Sequence, residues 1–154
     1  MRPRLPIAVA LAVVLAGCAS ALPATPNDAT TTTAEPPELT PKPLPDRPGD
    51  LTEQRARSFV QSYERAYKWN RERTDDTVDL TINPVRTRVT READGFVVHL
   101  EVGVTRTVRR DGAETVGDGF YTVNYFINET ALMRAQTGGQ TRPGPDPRNG
   151  TVVE

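Results

Sequence analysis

A single cysteine, Cys18, excludes any disulfide framework within the chain. A single histidine, His99, stands beside Glu101 on the polar face of an alternating stretch and lacks the companions that a histidine-built metal site needs. An excess of charge is missing too: 19 basic residues face 20 acidic ones, and residues 51–140 hold 13 of each. That balance gives no clustered positive field to steer the chain toward nucleic acid, so no nucleic-acid partner is expected. Long hydrophobic runs are also scarce. The longest, Leu5 to Ala16, contains Pro6 and gives way at once to polar, proline-rich sequence, which makes it too short for a comfortable transmembrane span.

What is there begins with that run. Arg2 and Arg4 precede the apolar stretch and a small residue closes it, the layout of a secretory signal. The segment Leu15-Ala16-Gly17-Cys18 resembles the lipobox of prokaryotic lipoproteins. The resemblance implies cleavage after residue 17 and lipid on Cys18, which would then be an attachment point and neither a staple nor a nucleophile. It places the chain at the extracytoplasmic face of the cell membrane. From Ala19 to Asp50 the sequence has eight prolines, the Thr30–Thr33 run and no aromatic residue, so residues 18–50 read as a disordered stalk. Residues 141–154, rich in glycine and proline, read as a flexible tail. One domain, 51–140, remains between them.

The clearest element of that domain is an amphipathic helix from Leu51 to about Arg73. At 100° per residue, Thr52, Ala56, Phe59, Val60, Tyr63, Ala66, Tyr67 and Asn70 share one arc, and Arg57, Gln61, Glu64, Arg65, Lys68, Arg71 and Glu72 lie outside it. Thr52 is the expected N-cap. The period then changes to two. Val78, Leu80 and Ile82 alternate up to Pro84; Val85, Thr87 and Val89 resume with opposite parity, the pattern of an edge strand bulged at the proline. Phe96 to Val104 and Tyr121 to Ile127 alternate in the same way, and a shorter strand runs from about Thr130 to Gln136. A long helix followed by three or four antiparallel strands must bury its stripe on one sheet face, which gives an α+β fold with a cystatin-like layout. The stretches "LTEQRARSFVQSYERAYKWN", "FYTVNYFIN" and "ALMRA" resemble small uncharacterised lipoproteins of halophilic archaea. That resemblance implies no catalytic residues.

The search for chemistry is correspondingly short. Asp75-Asp76 with Glu72 lacks the ligand spacing of a calcium loop, as does the stretch Asp111 to Gly119, which reads as a hairpin turn. Gly117 and Gly119 precede no helix or lysine that would make a phosphate loop. No serine has a histidine and acid partner in a recognisable motif. The expectation is a non-catalytic domain without metal or cofactor, whose partners are the membrane, through Cys18, and another envelope protein or extracellular polymer. A small-ligand site or minor enzyme in a cavity between helix and curved sheet is the alternative, with Trp69, Asn70, Tyr63 and Tyr67 as its pocket or rim. Two Asn-x-Thr sequons, at Asn128 and Asn149, are candidate glycosylation sites.

Overall fold

The computed structural model describes residues 39–137 and 144–153, all within one compact unit, Glu35–Glu154. Cys18, the leader and the first part of the expected stalk lie outside the described residues. The architecture is one helix, α1 (Glu53–Glu72), on a five-stranded antiparallel sheet. Its strands are β1 (Thr77–Glu92), β2 (Gly95–Arg110), β3 (Ala113–Ile127), β4 (Leu132–Thr137) and β5 (Thr151–Val152), and they neighbour one another in chain order. The α+β class is as the periodicity predicts. The strand count is one more than the three or four expected, because a two-residue strand escapes any reading of alternation.

Thr52 caps α1, its Oγ1 accepting the Arg55 N–H at 3.2 Å. The core is the helix face of Ala56, Phe59, Val60 and Tyr63 set against Leu80 and Ile82 of β1, the even residues Phe96 to Val102 of β2, and Tyr121, Val123, Tyr125 and Ile127 of β3. The change of parity in β1 is a real bulge: the register with β2 shifts between Pro84 and Arg86, and Val85 is left 55% exposed at the shift. The β2–β3 turn is tighter than expected. Asp111 and Gly112 alone make it, at φ 51° and 78°, a two-residue turn whose second position suits glycine. Glu114 to Gly119, read from sequence as part of that turn, belongs to β3 and pairs with β2 throughout. The acidic group at the helix end is used structurally: Asp76 accepts from Thr74 Oγ1 and from Arg110 Nε, and these bonds hold its carboxyl below the usual range.

Both flanks of the domain carry more structure than composition suggests. Residues 39–50, placed in the stalk, are fastened to α1 as described below. Residues 144–153, placed in the tail, form a short 3₁₀ turn (Pro147–Asn149) and β5, which pairs with β4. Arg148 holds this return, meeting Glu92 at 2.9 Å and Asp94 at 3.0 Å and lying 4.2 Å from the Phe126 ring centroid. Proline-rich composition argues for disorder only where nothing pairs with the chain; here fixed φ angles lower the entropy lost on docking. Among the described residues, no helix is long and apolar enough to cross a membrane.

Candidate functional site

The sheet has two faces, and α1 covers one. Cross-strand partners share a face, so Arg86 with Glu101, Arg88 with His99, and His99 with Asn124 all lie on the opposite side, together with Val97. From that face a cleft of about 630 Å³ reaches round the β1 edge to α1, lined chiefly by Arg57, Arg86, Arg88, Val97, His99 and Asn124. Its polar groups are held in place. Asn124 donates from Nδ2 to the Pro145 carbonyl at 2.7 Å, which turns its Oδ1 toward His99 Nδ1, also at 2.7 Å. An amide oxygen only accepts, so His99 carries a proton on Nδ1. Gly144 lets this contact form, since a Cβ there would stand 2.7 Å from Asn124 Nδ2. Arg57 donates to the Thr87 carbonyl at 2.8 Å and to Glu53 at 3.2 Å, and Arg86 faces Glu101 at 3.5 Å. His99 is therefore a half-buried, hydrogen-bonded residue rather than a solvated one.

On the helix side the most concentrated chemistry is a buried ionic network. Glu64 is fully buried and Arg134, from β4, is 9% exposed; Arg134 Nη2 meets Oε1 at 2.8 Å and Nε meets Oε2 at 3.0 Å. Tyr121 OH donates to Oε1 at 2.5 Å and Tyr125 OH donates to Oε2. Four donors thus saturate one carboxylate. Burial and the neighbouring carboxylate push both tyrosine hydroxyls well above their ordinary pKa, and the Glu64 contacts raise that of the Arg134 guanidinium against the opposing effect of burial. The Tyr67 ring lies 4.8 Å from that guanidinium. This arrangement joins α1 to β3 and β4 and leaves no donor or acceptor of the carboxylate free for a substrate, so it acts as a lock.

Sequence reasoning placed Glu64 outside the buried arc, and the structure corrects this. Four residues on from Val60, it stands only about 40° beyond that residue on the wheel, and the buried face extends to include it. A signal was present: Tyr121 and Tyr125 share the inward face of one strand, and buried hydroxyls need a polar partner.

The four residues expected at a pocket or rim do other work. Tyr63 is 1% exposed in the core, its OH donating to the Val153 carbonyl at 3.0 Å, and Tyr67 stacks on it. Trp69 and Asn70 form a clamp on the incoming chain. Asn70 accepts the Lys42 N–H and donates to the Lys42 carbonyl, each at 2.8 Å, while Trp69 Nε1 donates to the Thr40 carbonyl at 3.0 Å. The Lys42 ammonium sits 3.4 Å from the Trp69 ring centroid. The space between helix and sheet, where the alternative reading put a cavity, holds core side chains, and the cleft lies outside it, around the β1 edge. Of the sequons, Asn149 is exposed in the 3₁₀ turn, whereas Asn128 is half-buried with its Oδ1 accepting from Thr130 and Ala131. Among the described residues no group of three or more metal-ligating side chains could hold an ion.

Fold and site together define a two-layer α+β domain, helix on antiparallel meander, with a basic cleft around the β1 edge. The chain matches no protein-family model, no curated protein and no solved structure.

Proposed function

We propose that this chain is a lipid-anchored surface protein, held at the extracytoplasmic face of the cell membrane through Cys18, whose domain contacts another envelope protein or an extracellular polymer without catalysis. The observation that supports this reading is the clamp. A domain tethered by its N-terminal side must take the pull of the tether somewhere, and the Lys42–Asn70 and Thr40–Trp69 bonds transfer it to the last turn of α1. None of residues 39–50 lines the cleft at the β1 edge. Between Cys18 and Leu39 the chain can span at most about 70 Å, enough to hold the domain clear of lipid headgroups. Two acyl chains on one cysteine anchor stably where a single chain does not.

Substituting Cys18→Ser tests the reading. Wild-type protein is expected in the membrane fraction and the detergent phase with acyl mass on an N-terminal Cys18, and the variant as an uncleaved precursor or in the medium. A wild-type mature chain that begins after Cys18, or that partitions into water, refutes it.

A further inference from the structure

We propose that the cleft at the β1 edge binds a small organic anion, an oxyanion group carried on an apolar body. This goes beyond the display role and does not depend on how the chain is held at the membrane. Among the described residues, three guanidinium groups, Arg57, Arg86 and Arg88, line the cleft against one carboxylate, Glu101. Arg57 and Arg86 are already oriented by Glu53, Thr87 and Glu101, so part of their ordering entropy is spent before a ligand arrives. The Arg88 side chain is exposed and makes no hydrogen bond or ion pair with the described residues. Its cross-strand partner is His99, which puts its guanidinium on the same face as the imidazole. A planar fork of donors in that position is what a carboxylate, sulfonate or phosphate group accepts from.

The apolar body is called for by the floor. Val97 on the sheet face and Val89 on the helix side of the β1 edge both line the cleft, and its volume of about 630 Å³ exceeds what a bare inorganic anion would fill. His99 adds orientation. Its Nδ1–H donates to Asn124, and this chain, which ends on the Pro145 carbonyl, fixes the ring and the direction of Nε2. Among the described residues that line the cleft none is a nucleophile poised on a base, and the chemistry proposed there is recognition.

Benzoate, benzylammonium and inorganic phosphate separate the parts of this proposal when each is titrated into the ¹⁵N-labelled full-length chain in detergent micelles. Benzoate is expected to give saturable amide shifts at Val97, His99 and Asn124. Benzylammonium, with the same ring and opposite charge, is expected to bind at least about tenfold more weakly. Phosphate is also expected to bind more weakly, for want of the ring. Arg88→Ala should weaken benzoate about tenfold, while Arg65→Ala, which removes an exposed arginine from α1, should change it less than about twofold. The proposal is overturned by benzylammonium or phosphate binding as well as benzoate, by shifts that map elsewhere, or by an Arg88→Ala variant that folds normally and binds benzoate unchanged.

Discussion

Replacing Glu64 by glutamine changes one oxygen to an amide nitrogen at constant volume, in the most buried ionic group of the domain. In the native arrangement Oε1 takes Tyr121 OH and Arg134 Nη2, and Oε2 takes Tyr125 OH and Arg134 Nε. A carboxamide supplies an acceptor at one of these positions and a donor at the other. The tyrosine hydroxyl there can turn and accept, but an arginine N–H cannot, so a donor faces a donor and the guanidinium loses its counter-charge. Removing one member of a buried pair costs about 3–5 kcal/mol. Arg134 keeps Gln136 Oε1 at 2.6 Å and the Tyr67 ring, which puts the expected loss at the lower end, about 3 kcal/mol. At about 4 °C per kcal/mol for a domain of this size, the melting temperature should fall by about 12 °C. Urea and thermal denaturation measure it. In a double-mutant cycle with Arg134→Met, the coupling energy should reach about 2 kcal/mol. A loss under about 1 kcal/mol, or additive single variants, would refute the lock.

Three further perturbations probe the same framework. Tyr121 and Tyr125 titrate far above their ordinary pKa in the folded state, so above about pH 10 the unfolded chain has released protons that the native state keeps. Stability should accordingly be level through neutral pH and then fall by up to about 2.7 kcal/mol per pH unit for the pair, with Tyr121 and Tyr125 staying un-ionised in ultraviolet absorbance until the chain unfolds; all four tyrosines titrating together at about pH 10 in a folded protein would contradict the burial. Phe59→Ala truncates a residue at the middle of the helical stripe and should cost about 3 kcal/mol or more, and an unchanged melting temperature would remove the proposed core face. Asn70→Ala deletes both bonds to Lys42 and should raise amide exchange and protease sensitivity in residues 39–44 while costing the core no more than about 2 kcal/mol; protection that stays as in wild type would show that the clamp is not what holds the segment.

Elements and their faces were legible in the sequence because each rests on a local repeat. The 3.6-residue stripe from Ala56 to Tyr67, the alternation Phe96 to Val104 and the parity change at Pro84 are all properties of neighbours along the chain, and each appears where periodicity puts it. Three things depended on partners distant in sequence. Glu64 is buried because Tyr121, Tyr125 and Arg134, 57 to 70 residues away, converge on it, and a wheel that sorts residues by polarity alone sets a carboxylate outside the core. The flanks are ordered because Asn70 and Trp69 pair with backbone groups near Lys42 and because Arg148 finds Glu92 and Asp94, contacts that no composition count contains. The cleft exists because strand register lines Arg86, Arg88, His99 and Asn124 up on one face, and register is set by pairing between strands. Sequence by itself determined which residues must be buried somewhere and with what period. Only the tertiary structure decided which polar groups are carried inside with them, since a buried charge is tolerated where its counter-charge and donors meet it and nowhere else.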